Sequence, residues 1–203
     1  MKQMIKNTLI LTAITLVSGL LLGFVYEITK GPIARSKELA KQKAYQEVMQ
    51  DADSFAAFAA FDASEAKKVL SGSNISGCVV NEVVEAKKQG ETLGYVITVT
   101  TSEGYGGEIQ ISIGIYADGK VSGIAILSIN ETAGLGMNAK EPEFYGQFAN
   151  KNETSFEVTN KDAMEGNQIE AISGATITSK AVTNAVNAGV TYFHQVIGGV
   201  DNE

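Results

Sequence analysis

The first long apolar stretch of the chain, residues 7–26, contains no charged side chain. At the helical rise a run of 20 residues crosses a hydrocarbon layer of about 30 Å, so the pattern predicts a transmembrane helix. Lys2 and Lys6 would also suit the basic start of a cleaved signal peptide. A signal core, however, spans only about 7–15 residues and ends in a small-residue cleavage site, so an uncleaved anchor is expected. Gly31 and Pro32 mark an expected break between this span and a polar segment over residues 33–49. That segment, rich in Lys, Glu, Gln and Ala, predicts a second helix with Pro32 in its first turn. Phe55, Phe58 and Phe61 recur at every third position, which predicts one side of a short helix or turn packed on a core.

The middle of the chain changes period. Residues 79–86, 94–101, 109–116 and 121–128 are β-branched and partly alternating, and they read as strands. Asp118-Gly119 between the last two predicts a tight hairpin turn, so the sheet is expected to be antiparallel. A helix is expected over residues 141–148, opened by Pro142. The last helix is clearest: Val182, Val186, Val190, Phe193 and Ile197 share one face, while Lys180, Thr183, Asn187, Thr191 and His194 form a polar side. Gly198-Gly199 is expected to end it. The fold class is α+β, with helices packed on one face of the sheet. Residues 1–6 form a tail, 7–26 the span, 27–75 a helical linker leading into the domain, and 76–203 the domain itself.

Composition narrows the function. A net charge of -7 leaves no basic surplus for phosphate backbones, so no nucleic-acid partner is expected. Cys78 is the single cysteine, which excludes an internal disulfide or a thiolate cluster and suits a small residue at a strand start. His194 is the single histidine and reads as a surface residue. Lys30, Arg35, Lys37, Lys41 and Lys43 after the span outnumber Lys2 and Lys6 before it. Charge counting would put the following domain in the cytoplasm, but the rule is weak for long domains and leaves the side open.

The candidate chemistry lies just before the last helix, in residues 172–181, ISGATITSKA. Ser173, Gly174 and Ala175 make a small-residue turn that lets a ligand approach the backbone. Thr176, Thr178 and Ser179 follow as a hydroxyl cluster. The unpaired first amides of a helix are a seat for phosphate, and Lys180 adds charge nearby. The same hydroxyls could equally serve as a plain helix cap.

The string S-G-A-T-I-T-S resembles the flavin-attachment motif of the FMN-binding domain in the G subunit of Rnf complexes and the C subunit of sodium-pumping NADH:quinone oxidoreductases. The segments 131–136 (E-T-A-G-L-G) and 103–107 (E-G-Y-G-G) resemble that family's E-T-P-G-L-G loop and G-Y-G-G turn. Ala133 departs from the usual proline and loosens the turn. The chain's length resembles the Rnf subunit more than its longer quinone-reductase relative.

The resemblance implies an FMN carried in a phosphoester bond on Thr178, loaded from FAD by a separate flavin transferase. Ser173, Gly174, Ala175, Thr176 and Ser179 would surround the phosphate. Glu131 and Thr132 would hydrogen-bond the ring edge or brace their loop, Leu135 and Gly136 would approach the ring, and Tyr105 could pack nearby. It further implies an electron-transfer subunit of a membrane-bound ferredoxin:NAD oxidoreductase coupled to sodium or proton transport, with other membrane and peripheral subunits as partners. The domain would lie on the extracytoplasmic side of the cell membrane. The chain has neither a Gly-x-Gly-x-x-Gly fingerprint nor a cysteine cluster, so it is not expected to oxidise NADH or ferredoxin alone. A subunit feeding quinone, or an anchored scaffold without flavin, are the competing readings.

Overall fold

In the computed structural model, residues 1–160 and 166–198 are described. The chain divides into two compact units, Met1–Gln42 and Lys43–Glu203. Helix α1, Lys2–Val48, runs without interruption through Pro32. The expected break at Gly31 and Pro32 is therefore corrected to one helix of 47 residues. Proline removes the bond to the carbonyl of Ile28, a local loss of about 3 kcal/mol. The strong helix formers that follow, among them Ala34, Arg35, Lys37, Glu38 and Leu39, and the cooperativity of a long helix absorb it. The apolar part is long and apolar enough to cross a membrane. Thr8, Thr15 and Thr29 donate their hydroxyls to the carbonyls of Met4, Leu11 and Val25 at 3.0, 3.1 and 2.8 Å. These polar groups thus need no water within an apolar layer.

In the second unit, β1 (Ser54–Ala57), α2 (Ala63–Gly72), β2 (Cys78–Lys88), β3 (Glu91–Gly104), β4 (Gly107–Tyr116) and β5 (Val121–Ser128) follow in order. The strands form a five-stranded sheet in sequence order, every neighbour antiparallel. After it come a 3-10 turn (Gly136–Lys140), α3 (Pro142–Tyr145) with Pro142 at its start, a second 3-10 turn (Gly146–Phe148), the short parallel pair β6 (Glu157–Thr159) and β7 (Gln168–Glu170), and α4 (Thr176–Tyr192). Helix α4 continues into one wider turn over Phe193–Ile197. Of the Gly198-Gly199 pair expected to end it, Gly198 follows that turn directly, and Gly199 lies outside the described residues.

The turns explain the register. Asp118 Oδ1 accepts a hydrogen bond from Lys120 N at 3.0 Å, and Gly119 takes φ +89°. The β2–β3 hairpin turns on Gln89-Gly90, both at positive φ (54° and 89°), the twist that tight two-residue hairpins require. Side-chain alternation along β3 sends Tyr95, Ile97 and Val99 into the larger core and Val96 into a smaller one on the opposite face. Helices α2 and α4 cover the first face. Ala44, Tyr45 and Val48 from the last turns of α1, with Met49, cover Val84, Ala86, Val96 and Ala125 on the other. Helices therefore lie on both faces, not one. A central strand that is buried at every position from Gly94 to Val99 must be covered on both sides.

The phenylalanine stripe is also corrected: Phe55 belongs to a strand, not a helix. Its ring meets Tyr45 in the smaller core, with centroids 5.6 Å apart. Phe58 and Phe61 meet Tyr95 and Tyr192 edge-on in the larger core, at 5.5 and 6.1 Å. The expected core packing holds, but it is shared between two faces. The polar side of α4 differs too. Thr183 is buried, and Asn187 accepts from Phe156 N and donates to Phe156 O at 2.7 and 2.9 Å. The chain around Phe156 packs over that side, so only Lys180 and His194 of the predicted polar positions stay exposed.

Asp62 caps α2, its Oδ1 accepting from Ser64 N at 2.6 Å and Glu65 N at 3.1 Å. The Glu65 amide, then the Ser64 amide, hold this carboxyl below the usual range. The cap therefore stabilises the fold above the unfolded carboxyl's titration and is lost as pH falls through the lowered folded value. Cys78 opens β2, half-buried, and burial pushes its thiol up to about 11. Iodoacetamide at neutral pH is expected to label the native chain slowly and the urea-unfolded chain at the ordinary thiol rate. Equal rates, followed by intact mass, would show that the thiol is not shielded.

Candidate functional site

The site grows from the bend between β7 and α4. Gly174 takes φ +73°, a value suited to glycine, and turns the chain toward the helix. Ala175 N donates to Ile172 O at 2.9 Å. Ser179 then pins the bend: its hydroxyl donates to Ala175 O at 3.0 Å and accepts from Ile172 N at 2.9 Å. Among the described residues, no side chain caps the start of α4. The hydroxyl cluster is thus not used as a plain cap, and the helix start keeps its capacity for an anion.

Thr178 is 1% exposed. A Cβ built on Gly136 would stand 2.6 Å from Thr178 Oγ1 and 2.7 and 2.9 Å from Glu131 Cβ and Cγ. The glycine of one loop is therefore wedged between the threonine of α4 and the glutamate that opens its own loop. Glu131 Oε1 is buried with no hydrogen-bond partner among the described residues. The β3–β4 turn presses on the same carboxylate: a Cβ on Gly104 would lie 3.0 Å from Glu131 Oε1, and one on Gly106 would lie 1.9 Å from Asn130 O.

These elements enclose a cavity of about 500 Å³ lined by Tyr105, Glu131, Thr132, Leu135, Gly136 and residues 174–178. Its rim is apolar, with Tyr105, Leu135 and Ile177 at 73%, 42% and 55% exposure. A second cavity of about 490 Å³ is lined by Glu141, Glu143 and Glu170 and is electrostatically unsuited to phosphate.

Of the residues expected at the site, the fold brings together Glu131, Thr132, Leu135, Gly136, Gly174, Ala175, Thr176 and Thr178. Ser173 is exposed on the bend outside the cavity lining, and Ser179 is buried beneath it with its hydroxyl engaged. Their positions suit shaping the bend better than touching a ligand. Tyr105 does reach the rim. Ile177 is a lining residue that the sequence reading misses, although a side chain between Thr176 and Thr178 on the first turn of a helix must face differently from either.

The donor set fits a flavin mononucleotide. An uncapped helix start and the hydroxyls of Thr176 and Thr178 suit its phosphate. The buried Glu131 oxygen needs a partner carrying an O–H or N–H, and the apolar rim suits a planar ring.

Residues 104–191 match the model of the FMN-binding domain, and residues 1–48 match that of the RnfG N-terminal region. The protein is thus of the FMN-binding-domain class. Over 198 residues it is 34% identical to the G subunit of the Na(+)-translocating ferredoxin:NAD(+) oxidoreductase complex of Acetobacterium woodii, covering 96% of this chain and 94% of that protein. The proton-translocating counterpart of Clostridium ljungdahlii is 35% identical over 190 residues, covering 93% and 91%. The chain belongs to the RnfG family, the G subunits of ion-translocating oxidoreductase complexes. The crystal structure of Shewanella oneidensis NqrC shares the fold, with a TM-score of 0.50 at 18% identity over 60% of this chain and 61% of that one.

Proposed function

We propose that this chain is the electron-transfer subunit of a membrane-bound ferredoxin:NAD oxidoreductase coupled to sodium or proton transport, carrying FMN in a phosphoester bond on Thr178. The observation that carries the reading is the placement of the Thr178 hydroxyl in the first turn of α4, against the same Gly136 that the Glu131 side chain packs on. The first-turn amides and Thr176 would hold the phosphate, while Thr132 and the glycine-lined loops would flank the ribityl chain. Tyr105, Leu135 and Ile177 would cover the ring and exclude water from it.

When bound, FMN supplies one- and two-electron transfer, which suits relay between dissimilar redox centres. A covalent link also frees loading from the local flavin concentration, which a dissociable cofactor would follow. The chain's single cysteine cannot hold an iron–sulfur cluster, so electrons must enter and leave through partner subunits. Helix α1 would serve as a single membrane span, with the flavin domain on the extracytoplasmic side, and a flavin transferase would act there during maturation.

The test is intact mass of the protein purified from its native membrane, with a denaturing gel viewed under ultraviolet light. One FMN retained through denaturation, with a fluorescent band, is expected. A native chain at its unmodified mass would remove the flavin reading and leave an anchored domain.

A further inference from the structure

Forming a phosphoester on a threonine requires the hydroxyl proton to leave, and among the described residues one carboxylate, that of Glu131, lines the same cavity as Thr178. We propose that the Glu131 carboxylate accepts the proton of the Thr178 hydroxyl when the phosphoester forms, a role that rests on the flavin reading above. The donor would be a flavin dinucleotide presented by the transferase. The Thr178 Oγ–P bond forms, the pyrophosphate P–O bond breaks, and adenosine monophosphate leaves. The hydroxyl proton passes to Glu131, and nothing is oxidised or reduced.

Three observations carry this. Among the residues lining the cavity, Glu131 is the one carboxylate. Its side chain and Thr178 Oγ1 both close on Gly136, where a Cβ would meet each within 3 Å. Its Oε1 is buried and has no partner among the described residues, a state that loses free energy unless the oxygen is used. Because Oε1 makes no hydrogen bond here, the transfer needs one intervening water or a small side-chain rotation, as is common before a donor substrate binds.

Gly136 fits this role, since any side chain there would hold the carboxylate and the hydroxyl apart.

The test uses the full chain in detergent with FAD, magnesium and a purified flavin transferase, following covalent fluorescence over time in wild type, E131Q, E131A and T178A. E131Q is expected to load about 100-fold more slowly at saturating FAD, the usual scale of a lost general base. Its KM for the protein substrate should be unchanged and its endpoint should match wild type. Added formate should accelerate E131A but not wild type. Replacing a half-buried side chain whose Oε1 makes no hydrogen bond among the described residues should not unfold the chain, which a thermal melt checks. Loading of E131Q at the wild-type rate, or no formate effect on E131A, overturns the role of Glu131 while leaving the phosphoester intact if T178A stays dark. A dark wild type, or a fluorescent T178A, overturns the phosphoester reading itself.

Discussion

Replacing Thr178 by alanine is expected to abolish covalent flavin altogether, not merely to reduce it. The substitution removes the hydroxyl that would carry the phosphate, and the neighbouring hydroxyls are not equivalent to it. Ser179 is fully buried and bonded to Ala175 O and Ile172 N. Thr132 lies on the opposite loop, and Thr176 occupies the first position of α4, whereas Thr178 Oγ1 stands against Gly136. The fold should survive, since losing one methyl and one hydroxyl costs about 1 kcal/mol at such a site. The T178A chain from cells containing the transferase should run as a dark band and weigh what its sequence predicts, while Thr178→Ser should retain some flavin. Covalent flavin on T178A would move the attachment elsewhere, with Thr176 the first position to examine by peptide mass.

The second large effect is expected at Gly106, far from Thr178 in sequence. A Cβ there would stand 1.9 Å from Asn130 O, a backbone atom that cannot rotate away. Gly106→Ala must therefore push the β3–β4 turn off the segment that delivers Glu131. We expect a loss of about 3 kcal/mol, the upper range for overpacking. In a unit of this size that lowers the melting temperature by roughly 6–12 °C. Flavin loading should fall as well, because displacing Asn130 also displaces Glu131. Gly123→Ala is the matched control: nothing lies within 4 Å of its Cβ position, so its melt should stay close to that of wild type. If the two variants melt together, the turn is not packed as described.

Much of the fold is legible in the sequence because the signals are local. Alternating β-branched residues, Asp118-Gly119, Pro142 and the four-residue spacing of Val182, Val186 and Val190 each act over a few bonds. The hydroxyl bend and its two companion loops can be read as a flavin motif from their residues. Features whose outcome depends on distant neighbours mislead. Pro32 has the marks of a helix boundary, yet a long helix carried on by strong formers after it runs through it. Thr183 and Asn187 read as solvent-facing, yet the chain around Phe156 packs over them.

By itself, then, the amino-acid order determined that an apolar span precedes an antiparallel sheet and that hydroxyls cluster where the last helix begins. Such periodicities are set by backbone geometry and by which side chains avoid water. Only the tertiary structure decided that Ser179 braces the bend while Thr178 turns toward Gly136. It also decided that Glu131, 47 residues earlier in the chain, packs on the same glycine and keeps a buried oxygen with no hydrogen-bond partner among the described residues. That convergence depends on loop closure and on close contacts permitted by three glycines, Gly104, Gly106 and Gly136, which no short stretch of sequence encodes.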